Sequence, residues 1–287
     1  MSELHGGLPL PFIFYIMNKD SFYSLLSKLV LQLNNYVCSE DWQWKIKWFI
    51  DELLNIYTIS SDTKIISKIL EIHIFPLILD FANKNWFILE PAQEQNWYPD
   101  ISLILKSNPN VKFAIDFKST YRTWENKCNW FTLWSHGEYF INRESTKNIQ
   151  YPYNSYLWHF CLGMIYDKAE IDIDETEIYD LDSIKNIRSV ISNITFFVQE
   201  KRKIASDRGW SWNTANIWSI TDIDKLIKWE WVFIYLWEHI FDEYWMNQWK
   251  MMVIDKKWVS KKLTKIEEYL QIKNVDLNLI NKPQFRW

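Results

Sequence analysis

Two short runs carry the residues best suited to chemistry: Tyr98-Pro99-Asp100 and Ala114-Ile115-Asp116-Phe117-Lys118, with the two aspartates sixteen positions apart. On a β-strand, alternate side chains share a face, so Asp116 and Lys118 would point the same way. If the Asp100 segment pairs beside them, two carboxylates and an ammonium converge on one point. Carboxylate oxygens are hard ligands that suit Mg²⁺, and the ion leaves positions for phosphate oxygens and water. Lys118 would orient an attacking water or stabilise developing negative charge. The expected chemistry is phosphodiester hydrolysis, with Glu71 completing or adjusting the metal site. A proline-aspartate followed at such a distance by aspartate-x-lysine arises by chance in roughly 8% of cases, so the surrounding elements have to support it.

Those elements follow from periodicity. From Ser21, apolar residues at Phe22, Leu25, Leu26, Leu29, Val30 and Leu33 predict an amphipathic helix. Asp62 can cap a second helix over Thr63–Asn83, with Ile65, Ile66, Ile69, Leu70, Leu77 and Leu79 as its buried side, a kink at Pro76, and Glu71 just before it. Strand-like runs follow at Trp86–Glu90, Asp100–Leu105, Val111–Lys118, Leu157–Tyr166 and Ile194–Glu200, then a helix at Glu238–Trp249. The order implies an α/β fold, a mixed β-sheet flanked by helices. Residues 1–60 would form an N-terminal extension and a helical element, 61–250 the catalytic domain, and 251–287 a basic C-terminal tail; Met17 is a candidate start.

Composition narrows the class. The 287 residues are 48% hydrophobic and 24% charged, ordinary values for a folded chain. The run Leu8–Met17 is too short to span a bilayer and lacks the basic flank of a signal peptide. Three widely spaced cysteines fit neither a disulfide framework nor a metal knuckle, and point to a reducing cytoplasm. The net charge of −4 assigns any nucleic-acid affinity to local patches such as Lys201-Arg202-Lys203 with Arg208, and the lysines between Lys250 and Lys265.

Tryptophan and glycine are both anomalous. An average usage of about 7% predicts roughly 20 glycines, yet there are 5, against 19 tryptophans. Trp86 stands after Lys84-Asn85, where a helix normally ends in glycine, and Trp210-Ser211-Trp212 and Trp229-Glu230-Trp231 read as Gly-x-Gly turns. The expectation is a UGA codon read as glycine by the source organism and written here as tryptophan. The alternative is a set of real indoles forming stacking platforms for bases or sugars.

The chain resembles the EcoRV-type restriction endonucleases, of the PD-(D/E)xK nuclease superfamily, over roughly residues 61–219, with a weaker continuation to 249. Besides the aspartate and lysine motif, Ser61-Asp62-Thr63-Lys64 and Glu71, 29 residues before Asp100, resemble the family's active-site helix, and Thr146-Lys147-Asn148-Ile149 with Tyr151-Pro152 matches as a block. The resemblance implies a type II, Mg²⁺-dependent, site-specific deoxyribonuclease. It would act as a homodimer on double-stranded DNA at a palindrome such as GATATC, cut to blunt ends, with a cognate DNA methyltransferase in the same system. It implies catalytic and metal roles for Asp100, Asp116 and Glu71 and a catalytic role for Lys118. Gln95 and Asn96 would lie in a minor-groove loop, Ser211, Asn213 and Thr214 in a major-groove loop, and Ser119 and Thr120 at the phosphates. Trp210, Trp212 and Trp218 stand where the family has glycine, Ala215 replaces a threonine, and Trp97 a histidine. Two other readings remain: a repair or structure-specific nuclease sharing the core, and a non-catalytic tryptophan-rich binding module.

Overall fold

The computed structural model describes residues 17–134, 138–169, 174–209, 216–228, 233, 236, 238–248, 250–254 and 258–279. Helix α1 (Lys19–Val37) begins at Asn18, whose side chain accepts from the Ser21 N–H, and buries Phe22, Leu26, Leu29, Leu33 and Val37. Strands β1 (Trp48–Ile50) and β2 (Ile56–Thr58) follow. Helix α2 (Thr63–Lys84) is capped by Asp62, whose carboxylate accepts from the N–H groups of Lys64 and Ile65. It stays helical through Pro76. Its buried face is Ile66, Leu70, Ile74, Ile78, Phe81 and Ala82, whereas Ile65 and Leu79, expected inside, are 44% and 43% exposed. The helix is apolar on nearly every side, so periodicity alone does not choose a face. Trp86, directly after it, has φ 61° and is 71% exposed.

Strands β3 (Phe87–Pro91), β4 (Ile101–Leu105), β5 (Lys112–Trp124), β6 (Lys127–Cys128) and β7 (Thr132–Trp134) come next, then helix α3 (Glu138–Ile141) and strands β8 (Trp158–Lys168), β9 (Ile178–Tyr179) and β10 (Ile191–Glu200). The last third holds β11 (Ala205–Gly209), β12 (Ile217–Ser219), α4 (Ile223–Lys228), α5 (Glu238–Asn247), β13 (Met252–Ile254), β14 (Ser260–Lys262) and α6 (Ile266–Ile272). The central sheet runs β10-β8-β5-β4-β3, with β6 hydrogen-bonded to β5 off that path. Only β5 and β8 pair in parallel there; the other neighbours are antiparallel, so the expected mixed α/β sheet is observed. Smaller sheets are β1-β2-β9, β11-β12-β7 and β13-β14.

Alternation along β5 divides the core. Phe113 and Ile115 face α1 and α2, in a cluster with Phe22, Leu70, Phe87 and Phe160. Ala114 faces the opposite side, where Cys161, Phe197, Ile217, Phe241 and Tyr244 pack. That second cluster also takes Val253, Leu263, Ile266, Tyr269 and Leu270, so part of the segment read as a basic tail is buried. Gly163 of β8 lies opposite Phe197 of β10, and a Cβ there would come within 2.0 Å of the ring. Cys38, Cys128 and Cys161 are all free and buried. Among the described residues no helix is long and apolar enough to cross a membrane.

Candidate active site

The β4–β5 register puts Ile101 opposite Ile115, which brings the preceding Asp100 beside Asp116. An N–H donated by Phe117 reaches Asp100 Oδ2 at 2.5 Å. Lys118, two residues along the strand from Asp116, turns back and places Nζ 2.8 Å from Asp116 Oδ2. The sequence-predicted trio is therefore assembled by one strand pairing and one alternation. The approach to Asp100 is held from outside the sheet: Tyr98 N donates to Asn148 O at 3.0 Å, and Gln150 N donates to Tyr98 O at 2.9 Å. Asn148 has φ 55°, a conformation asparagine tolerates better than most residues. The Thr146–Ile149 block thus braces the strand entry that carries Asp100.

The electrostatics are those of a crowded acid pair. Burial and the neighbouring Asp116 charge push Asp100 up to about 7, against the pull of Lys118 and the Phe117 N–H. Burial also disfavours the Asp116 carboxylate, but Lys118 and Lys201 outweigh it and hold that group below the usual range. Burial works against the Lys118 ammonium, yet the two aspartates raise its pKa and keep it charged. Cys161, in register with Asp116 on β8, is pushed up to about 12 by burial and the Asp116 charge, so it stays a thiol. His159, pushed down to about 3 by burial and Lys201, stays neutral; its Nδ1 lies 2.8 Å from the Tyr98 hydroxyl.

Lys201 was missed as a site residue. The run Lys201-Arg202-Lys203 reads as a basic surface patch, but the structure turns it inward: the Lys201 side chain is fully buried, with Nζ 2.9 Å from Asp116 Oδ2. Burial lowers its pKa to about 8, with Asp116 opposing. Arg202 and Lys203 pair with Glu200 at 3.3 and 2.9 Å. A short 3₁₀ turn over Lys201–Ile204, at the end of the edge strand β10, carries the first lysine into the core. The signal available in the sequence was that only Gln199 and Glu200 separate the run from the apolar strand residues Phe196, Phe197 and Val198.

A cleft of about 1060 Å³ opens beside the pair, lined by Lys64, Ser67, Glu71, Gln95, Asp100 and Ser119 among others. Glu71 therefore shares the cleft with Asp100, with its carboxylate 2.9 Å from the exposed Lys68 ammonium. Gln95 and Asn96 are exposed in the segment between β3 and β4. The Ser119 hydroxyl contacts that of Ser67 on α2. Thr120 points to the opposite face: it is 4% exposed and its hydroxyl donates to Asn129 O at 2.8 Å, so it does not share the cleft surface with Ser119. Ser211, Asn213 and Thr214 lie outside the described residues.

Among the described residues no three His, Cys, Asp or Glu side chains form a ready metal cage. The Asp100–Asp116 pair nevertheless fits a divalent cation. Burial, and after it the repulsion between two hard carboxylates, raises Asp100, and a cation relieves that repulsion. Both lysines also approach Oδ2 of Asp116, and among the described residues no hydrogen bond or ion pair falls on its Oδ1.

Comparison with known proteins gives a family and a relative. A family model described as "Restriction endonuclease EcoRV" matches residues 40–274. The Escherichia coli protein named Type II restriction enzyme EcoRV is 35% identical over 197 residues, which cover 69% of this chain and 78% of that protein.

Proposed function

Because the chain belongs to the EcoRV restriction endonuclease family, we propose that it hydrolyses phosphodiester bonds in duplex DNA with Mg²⁺, at a short palindrome of the GATATC type. The observation that carries this reading is the convergence of Asp100, Asp116 and Lys118, of which Asp100 lines the cleft. Asp100 and Asp116 would hold the cation, with Glu71 adjusting the site from α2. When bound, the cation would neutralise charge on the scissile phosphate and make a water more acidic. Lys118 stays protonated beside Asp116 and would stabilise negative charge on the phosphate oxygens. Ser119 and Lys64, on the cleft wall, would contact phosphate. The enzyme would act as a homodimer in the cytoplasm, with a methyltransferase protecting the host's own sites.

The tryptophan excess belongs to the same reading. Trp42, Trp86 and Trp258 have φ of 60°, 61° and 61°, and their exposures are 59%, 71% and 88%. Left-handed backbone is glycine's territory, and an exposed indole supplies no packing reason for it. These three positions support UGA read as glycine in the source organism, and the same recoding at Trp210, Trp212 and Trp218 would return the recognition segment to the family's pattern.

A plasmid cleavage assay tests the core of the proposal. Cutting is expected with Mg²⁺ or Mn²⁺, and to vanish in EDTA and in Asp100→Ala, Asp116→Ala and Lys118→Ala. Glu71→Ala should be milder, since water can replace a carboxylate delivered from the helix. Full activity in EDTA, or in any of the three core variants, would remove the assignment.

A further inference from the structure

Lys201 is the one fully buried lysine among the described residues. It reaches the site from β10 and its following turn, far from the strand that carries the motif. Its Nζ lies 2.9 Å from Asp116 Oδ2, the same oxygen that Lys118 Nζ approaches at 2.8 Å. Beneath it the Tyr98 ring centroid is 4.2 Å away, within cation–π range. The Tyr98 hydroxyl is itself fixed by His159, and its backbone by Asn148 and Gln150. Trp134 covers another side at 4.4 Å, but the bond to Asp116 and the Tyr98 platform do not depend on it. Removing a buried ammonium from water is costly, and a hydrocarbon of the same length would fill the space more cheaply. A second lysine on an oxygen already served by Lys118 therefore calls for a role beyond packing.

We propose that Lys201 is a positioning residue that occupies Oδ2 of Asp116 and so reserves Oδ1 as that carboxylate's single metal-facing oxygen. With two ammonium groups on one oxygen, the carboxylate cannot rotate to offer both oxygens to a cation. The cation is then confined to one place between Asp116 and Asp100. The fixed positive charge of Lys201 also opposes the cation. Geometry is thus gained at the expense of binding strength. The inference rests on the reading of Asp116 as a metal ligand.

The distinguishing signature is that metal affinity and turnover should move in opposite directions. In Lys201→Met the stem is matched in length and Asp116 keeps Lys118 as its partner, so the fold should persist. Mn²⁺ binding to the DNA-free protein, followed by electron paramagnetic resonance or calorimetry, should tighten on the order of tenfold as a nearby positive charge is removed and Oδ2 opens. Turnover on a plasmid should fall about tenfold as the cation loses its fixed place, with the loss in kcat rather than KM. Lys201→Gln, which can still donate a hydrogen bond, should give smaller changes of both kinds and serves if the methionine variant does not fold. Unchanged or weaker Mn²⁺ binding in whichever variant folds would overturn the inference, as would unchanged kcat. An Asp116→Asn control separates the two layers: if it binds Mn²⁺ as the parent does, the metal-ligand reading itself has failed, whatever Lys201 does.

Discussion

Replacing Asp100 by asparagine should stabilise the metal-free protein while abolishing cleavage, and the gain should depend on pH in a defined window. The variant keeps an oxygen to accept the Phe117 N–H at 2.5 Å and removes only the charge. Below pH 3.8, the group's ordinary value, Asp100 is protonated in both the folded and unfolded chains and contributes no difference. As pH rises, the unfolded chain releases this proton first while the folded chain retains it until about 7. Over that window the folded state binds more protons, so stability falls as pH increases, and the loss is complete once pH passes the folded value. A carboxyl raised this far corresponds to about 4 kcal/mol at about 1.36 kcal/mol per pH unit, and partial exposure of the side chain reduces it to about 1–3 kcal/mol. Urea unfolding in EDTA at pH 4 and at pH 8 should show the two proteins close together at the lower pH and the variant ahead by that amount at the higher. Parallel curves for parent and variant across this range would refute the crowded-acid account of the site.

Single Trp→Gly changes at 42, 86 and 258 should each raise stability by about 1 kcal/mol, because relief of left-handed strain exceeds glycine's extra unfolded-state entropy. Trp245→Gly, buried within α5, should cost on the order of 4 kcal/mol; denaturant midpoints and the gene's codons check both, with TGA expected at the first three and TGG at 245. Gly163→Ala forces a methyl into the Phe197 ring and should lose about 1–3 kcal/mol, measured as a fall in Tm and reduced by pairing it with Phe197→Leu. Restoring glycine at 210, 212 and 218 should yield site-specific cutting. In that background Asn213→Ala should cost on the order of 1–3 kcal/mol in discrimination between cognate and altered sites on a plasmid panel; equal, site-specific cutting by the unrestored chain would show that the indoles are tolerated.

The parts of the site that were legible in the sequence are those set by local spacing. Asp116 and Lys118 share a face because strands alternate, and Asp62 caps its helix because an aspartate before an apolar run does so in any protein. Strand β5 continues to Trp124, well past the apolar run that announced it, because β8 pairs alongside it as far as Tyr121 and β6 then pairs at Arg122 and Trp124. The face of α2 was misread at Ile65 and Leu79 because an all-round apolar helix takes its orientation from the packing surface. Lys201 was hard to read for a related reason: it lies 85 residues from its carboxylate partner, and an apolar strand close before a basic triplet does not by itself say which of the three lysine and arginine side chains turns inward. The role of Asn148 as a brace for Tyr98 was likewise a tertiary fact, present in the sequence only as an unexplained block.

The parallel pairing of β5 with β8 also bears on how the protein is made. As the chain leaves the ribosome, β3, β4 and β5 can pair with their sequence neighbours, but the open side of β5 waits for residues 158–168, and Lys201 emerges later still. A product truncated before residue 158 therefore carries the whole aspartate and lysine motif on a bare edge strand. Such an edge favours aggregation or degradation over folding. Placing the supports of the site late in the chain means that an unfinished polypeptide meets quality control before its site can be assembled.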